Sequence, residues 1–292
     1  MLSIGLVGVN TYHAEAFTRI FNGSPDAFAA IDEARITHVW AGDHGERLSE
    51  LESMLGVYDT RVDDVNTMID QVDGVLIVDD TGGGARHADL ARPFLEAGIP
   101  TFIDKPMTTT YADAVALFDL AEKHGALLTS SSALRYPVEL EAARPAIDAC
   151  GQLSSILAVG PEEWFYYGVH VVELLGTLTN DRPISVHRHA FAKKDIAVIE
   201  YDSGLVATVQ TLRDAGYLFH CSVFGENGHT AFDINDAMGF YTNEMRAFIR
   251  MIETAKPPLT REQTLDVMAI LHAGNRSAET GERVLIQEIT GV

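Results

Sequence analysis

Residues 5–17 read GLVGVNTYHAEAF, and this short stretch decides the fold. An apolar run ends at Gly8, and an amphipathic helical pattern starts a few residues later. A glycine between a strand end and a helix start lets the chain turn sharply and brings its backbone close to a phosphate. In a dinucleotide-binding turn three glycines serve the turn itself, the approach of the pyrophosphate and helix–strand packing. Here Gly8 takes the first role, Asn10 stands at the second position and His13 at the third. Asn tolerates left-handed backbone, whereas His at a close-packing position departs from the pattern. Taken alone, the turn suits an ordinary strand–turn–helix as well as a nucleotide site.

Working outward, short β-rich runs alternate with longer amphipathic stretches from residue 1 to about 128, the pattern of consecutive βαβ units. The expected strands are 3–7, 36–41, 74–78, 101–103 and 126–129. The expected helices are 14–21, 46–55, a short 62–69, 88–97 and 111–124. Gly98 is a candidate C-cap, and Pro93 is expected to kink its helix or mark its start. The second half changes character. After a strand at 154–159 and a helix at 164–178, β-rich runs follow in succession at 184–190, 196–201, 205–212 and 218–224, with helices expected at 241–254 and 261–280. Strands grouped in this way point to an antiparallel or mixed sheet. The expected fold is α/β: an N-terminal Rossmann dinucleotide-binding domain, residues 1–128, and a C-terminal α+β domain with a largely antiparallel open sheet, residues 129–292.

Composition agrees with two folded domains. The 292 residues exceed what one core usually organises, and 47% apolar with 22% charged residues is ordinary for a globular chain. The net charge of −21 repels phosphate backbones and anionic lipid headgroups, which argues against nucleic acid and membrane surfaces as partners. The same acidity suits solubility or salt adaptation. Two cysteines, Cys150 and Cys221, lack the paired spacing of a zinc site or a disulfide framework, and no metal is expected. The opening MLSIGLVGVN enters a strand without a basic leader, and no apolar run reaches about 18 residues, so a cytoplasmic protein is expected.

Further candidates lie at predicted strand ends. Asp43 follows the second strand, where a carboxylate accepts hydrogen bonds from an adenosine ribose and disfavours a 2′-phosphate; AGDHGE is also a good local turn. Gly82, Gly83 and Gly84 follow DGVLIVDD, either as a surface for a cofactor or as a connector. His87 lies three residues on. In FIDKPMTTT, residues 102–110, Lys105 ends a strand and is held by Pro106, so its ammonium can donate to a substrate oxygen.

Five elements in order then resemble the glucose-fructose oxidoreductase and inositol dehydrogenase family, Gfo/Idh/MocA. They are the glycine turn, VDGVLIVDD with His87 and FLEAGIPTFIDKP, Arg135-Tyr136-Pro137, GVHVVELL, and the late SAETGERV. The resemblance implies a nicotinamide-dependent oxidoreductase of a sugar, polyol or similar alcohol, and Asp43 favours NAD over NADP as its cofactor. It also implies a homodimer or homotetramer. Lys105 maps to the family's active-site lysine, with a cis bond before Pro106. His170 maps to its catalytic histidine, a general base whose imidazole suits neutral pH. Tyr166 stands where many relatives carry an aspartate. A helix would put Tyr166, Tyr167, His170 and Glu173 on one face. Around the cofactor the resemblance assigns Gly8, Asn10, Thr11, His13, Asp43, Asp80, His87 and Asp104. Arg135, Trp164 and Tyr167 are assigned to the substrate, although Arg135 serves equally well as a structural pin. Because a phenol cannot supply a carboxylate's fixed charge, two other readings stand: a catalytically silent dinucleotide-binding sensor or partner protein, and an NAD-assisted lyase or glycosidase.

Overall fold

The structure is a computed structural model that describes residues 1–24, 27, 29–55 and 58–291. The chain divides into two compact units, residues 1–131 with 241–261, and residues 132–240 with 262–292.

In the first unit β1 (Leu2–Val7), α1 (Tyr12–Asn22), β2 (Ala34–Trp40), α2 (Gly45–Leu55), β3 (Thr60–Arg61), β4 (Gly74–Ile77), α3 (His87–Glu96), β5 (Thr101–Ile103), α4 (Tyr111–His124) and β6 (Leu128–Ser130) alternate. The six strands are parallel, in the order β3-β2-β1-β4-β5-β6. The order reverses between β1 and β4, and at such a switch point a crevice opens at the carboxyl ends of the strands. β4 is buried along its whole length, as a central parallel strand covered on both faces must be. Ile4, Leu6, Phe17, Ile20, Ile36 and Val39 build the core with Phe248 and Met251 from the far end of the chain.

Two local expectations differ from the structure. Residues 62–69 form no α-helix: the edge strand β3 pairs with β2, and a single 3-10 turn at Val65–Met68 follows, capped by the Asp64 carboxylate on Asn66 N–H. Pro93 does not start α3, which runs through it with Leu90, Ala91, Phe94 and Leu95 buried; that burial offsets the one backbone bond a proline removes.

The second unit holds α5 (Val138–Ala149), β7 (Leu153–Pro161), α6 (Gly168–Leu175), β8 (Pro183–Phe191), β9 (Lys194–Tyr201), β10 (Val206–Leu212), β11 (Phe219–Gly225) and β12 (Gly228–Ile234). Then come α7 (Ala237–Thr254), α8 (Arg261–Thr280), β13 (Val284–Leu285) and α9 (Gln287–Thr290). Its seven strands run β12-β11-β7-β10-β9-β8-β13, antiparallel except for the β7–β10 pair. β9 and β10 alternate strictly between buried and half-exposed residues, the period of a sheet with one covered face.

Sequence reading missed α5, whose pattern is interrupted by Pro145, and β12, which closes a hairpin with β11 through Glu226-Asn227. Residues 241–254 of α7, expected with the C-terminal domain, pack in the first unit: Phe248 and Ile252 close over Gly74 so tightly that a Cβ there would meet Ile252 at 2.7 Å. No helix among the described residues is long and apolar enough to cross a membrane.

Candidate active site

The glycine turn has the geometry its first residue predicts. Gly8 has φ +101°, its N–H donates to the Trp40 carbonyl at 2.9 Å, and a Cβ there would lie 2.4 Å from the Asp79 backbone nitrogen. No other residue fits. Asn10, at the second fingerprint position, accepts from Asp80 N–H at 3.0 Å, and its amide nitrogen lies 3.3 Å from His44 Nε2 and 3.4 Å from Thr81 Oγ1. It ties the loop after β4 to the turn after β2. Thr11 caps α1 by accepting from Ala14 N–H at 3.3 Å.

The departure at the third position has a physical resolution. His13 does not have to be small, because its Nδ1 bonds to Asp104 Oδ2 at 2.6 Å while its ring packs against Phe17 and Tyr241. Asp104 is buried, and its other oxygen accepts from Lys105 N–H at 2.8 Å. Burial pushes this carboxyl upward, but His13, with Lys105 and His87, holds it below the ordinary carboxylate value. Both His13 and Asp104 were expected to face a cofactor; the structure engages them with each other, 91 residues apart.

Lys105 is buried, and the bond to Pro106 is cis. The loop that follows is held by His87, which is 2% exposed and donates from Nδ1 to the carbonyls of Pro106 and Met107 at 3.1 and 3.2 Å. His87 is therefore a pin beneath the lysine loop. Asp43 lies exposed in a turn closed by His44 N–H on the Ala41 carbonyl, at the carboxyl end of β2. Asp80 is half-buried, and its backbone carbonyl accepts from Gly83 N–H. The run 82–84 has positive φ at all three glycines, so this loop requires them.

Sequence reading passed over Asp79. It is fully buried beside Gly8, one oxygen accepts from Thr81 N–H at 3.1 Å, and Oδ2 has no hydrogen-bond partner. A buried acceptor left open at the switch point suits a ligand that carries an N–H or O–H donor. The paired Asp79-Asp80 closing an apolar strand was the available signal.

In the second unit, His170 is 6% exposed in the first turn of α6. Its Nδ1 lies 2.6 Å from Ser132 Oγ, and the rings of Tyr167 and Phe219 stand 5.7 Å from it on either contact. α6 begins at Gly168, so Tyr166 and Tyr167 lie in the preceding turn and not on the expected helical face. The Glu163 carboxylate accepts from Tyr166 N–H and shapes that turn. The ring that reaches His170 is Tyr167, and Tyr166 packs on Tyr167 at 5.7 Å.

Two residues expected at the substrate are buried in the second unit. Trp164 is 1% exposed; its Nε1–H donates to the Leu271 carbonyl at 2.9 Å, the Arg188 guanidinium lies over its ring, and a Cβ at Gly274 would strike it at 2.5 Å. It is a core residue of this unit. Arg135 is buried, pairs through Nε with Glu173 and donates from Nη1 to the Gly176 carbonyl at 3.3 Å. These contacts tie it to α6. Burial pushes the Glu173 carboxyl above its ordinary range, against the pull of Arg135 and of a backbone hydrogen bond from Ser132. Ser132 was also missed; three consecutive serines ahead of ALRYP were its only mark.

Comparisons with known proteins agree with this architecture. Residues 2–132 match the model of the family described as "Oxidoreductase family, NAD-binding Rossmann fold". The chain is 26% identical over 313 aligned residues to D-xylose 1-dehydrogenase (NADP(+)) 2 of Haloferax volcanii, covering 88% of this chain and 90% of that protein. Scyllo-inositol dehydrogenase from Lactobacillus casei, solved with NAD(H) and scyllo-inositol, shares the fold with a TM-score of 0.84 at 16% identity, covering 98% of this chain and 99% of that one. Myo-inositol 2-dehydrogenase from Lactobacillus plantarum superposes with a TM-score of 0.85 at 17% identity, over 98% and 99% of the two chains. Residues 2–132 are thus similar to the NAD-binding Rossmann domain of the Gfo/Idh/MocA oxidoreductases, and the whole chain shares the fold of the inositol dehydrogenases.

Proposed function

We propose that the protein is an NAD(P)-dependent dehydrogenase that oxidises a secondary or hemiacetal alcohol of a sugar or polyol, with NAD preferred. The observation that carries this reading is Gly8, held at φ +101° against the Asp79 backbone at the β1/β4 switch point, where a side chain would close the cofactor cradle. Asn10, Thr11 and the open acceptor on Asp79 fit a dinucleotide there. Asp43, at the end of β2, favours a ribose diol over a 2′-phosphate. The named relatives act on D-xylose with NADP(+) or bind inositols with NAD(H), which supports the substrate class.

A bound nicotinamide supplies the hydride acceptor. By the family resemblance we assign His170 the role of base toward a substrate hydroxyl and Lys105 that of a donor to developing negative charge. Tyr167 borders the imidazole. Self-association as a dimer or tetramer belongs to the same reading, and light scattering tests it.

Calorimetric titration with NAD+, NADH and NADP+ tests the cofactor, comparing the wild type with Asp43→Ala; micromolar NAD affinity that is lost in the variant is expected. A polyol and aldose panel followed at 340 nm tests the reaction, and His170→Ala should cut turnover about a hundredfold or more with NAD affinity retained. Tight dinucleotide binding with no absorbance change and no new product would point to a silent binding protein. Product without net reduction would point to a lyase or glycosidase.

A further inference from the structure

We propose that Ser132 sets the tautomer of His170, holding Nδ1 through its hydroxyl so that Nε2 is the nitrogen that exchanges the proton, with the Glu173–Arg135 pair fixing Ser132 in place. The inference rests on His170 being the base and adds the positioning residue for it.

Ser132 is 1% exposed and has little freedom. Its Oγ accepts from Leu134 N–H at 3.1 Å, capping the 3-10 turn Ala133–Arg135. A backbone hydrogen bond joins it to the Glu173 carboxylate, which lies one turn beyond His170 in α6 and is paired with Arg135. Arg135 returns to α6 at the Gly176 carbonyl, and a Cβ at Gly176 would lie 2.7 Å from Nη2. The serine is thus clamped to the helix that carries the histidine, with Oγ 2.6 Å from Nδ1.

A hydroxyl that already accepts one N–H has a second lone pair and one rotatable proton. It can accept from Nδ1–H, which leaves the Nε2 lone pair to act as base. After Nε2 takes a proton, the imidazolium keeps the same Nδ1–H···Oγ bond, so the ring does not move between the two protonation states. A carboxylate at this place would orient the ring too, but its charge would raise the imidazole pKa. Serine orients the ring without adding charge. The rings of Tyr167 and Phe219 also pack against the imidazole, and Glu173, one turn on in α6, is paired with Arg135.

The test is nitrogen-15 NMR of the full chain labelled in histidine, comparing wild type, Ser132→Ala, Ser132→Cys and Ser132→Thr, with His170→Asn assigning the resonances. The expected wild-type spectrum shows neutral His170 protonated on Nδ1. Alanine, or the weakly bonding cysteine if alanine does not fold, should shift the population toward Nε2–H, and threonine should restore the wild type. With an oxidisable substrate, kcat should fall about tenfold or more in Ser132→Ala and recover in Ser132→Thr, with KM and nucleotide affinity unchanged. A wild-type His170 carrying its proton on Nε2, or a tautomer that alanine and cysteine leave unaltered, overturns the proposal. Failure of the dehydrogenase reading is separate, because it would appear as an inactive wild type whatever the spectrum shows.

Discussion

Removing Arg135 should unfold the second unit far more readily than removing the whole Arg135–Glu173 pair. The two side chains are 5% and 3% exposed. A charge taken that far from water and then deprived of its partner costs about 3–5 kcal/mol, whereas replacing both partners with apolar groups of similar volume is often neutral. Arg135→Ala leaves Glu173 with the Ser132 backbone bond as its remaining support. Burial already pushes this carboxyl above its ordinary 4.5. The folded unit therefore holds that proton more tightly than the unfolded chain does, and stability falls as pH rises from 4.5 through the raised value. Without the guanidinium this loss should extend to higher pH. Urea unfolding followed through Trp164 fluorescence, in a Trp40→Phe background, reads this unit directly. With a slope of about 2 kcal/mol per molar, the midpoint of Arg135→Ala should drop by about 1.5–2.5 M. Arg135→Met combined with Glu173→Leu should stay within about 1 kcal/mol of the parent. A single-variant cost typical of an exposed pair, below about 1 kcal/mol, or a double variant as unstable as the two singles added, would refute the argument.

Other expectations follow from single contacts. Gly8→Ala forces a Cβ to within 2.4 Å of the Asp79 nitrogen; strain of about 1–3 kcal/mol should weaken dinucleotide binding roughly tenfold to a hundredfold in calorimetry. His13→Ala removes the group that holds Asp104 below 3.8. Asp104's contribution to stability is present above that value and is lost as pH falls through the lower, folded one, so the acid-unfolding midpoint of the variant should move to higher pH. Trp164→Phe removes the indole N–H bond to the Leu271 carbonyl, which lies inside α8 and keeps its helical partner, and the lost bond should cost about 0.5–1.5 kcal/mol in urea unfolding. It should leave KM for any substrate unchanged; a raised KM with unchanged stability would return Trp164 to the substrate.

Much of the first unit was legible because its signals are local. Apolar runs of strand length, a glycine at the end of β1, and DKP at the end of β5 are patterns of a few neighbouring residues. Helices α4 and α8 came out with the expected bounds, since an uninterrupted 3.6-residue period reports itself. Where the period was broken the reading failed: Pro145 hid α5, and Thr60-Arg61 became a strand through pairing with His38 and Val39 of β2. Tyr166 and Tyr167 were placed on a helix by spacing alone, while the bonds to Glu163 made a turn there.

The amino-acid sequence by itself determined the order of the βαβ units, the alternation of the second sheet, and the identity of the titratable residues at the strand ends. Only the tertiary structure decided what those residues do. His13 and Asp104 are 91 positions apart, Arg135 and Glu173 are 38 apart, and so are Ser132 and His170. Periodicity reaches three or four residues along a helix and two along a strand, so no local pattern encodes such partners. They meet because hydrophobic burial fixes where each element packs, and a buried polar group must then bond to whatever the packing has brought beside it.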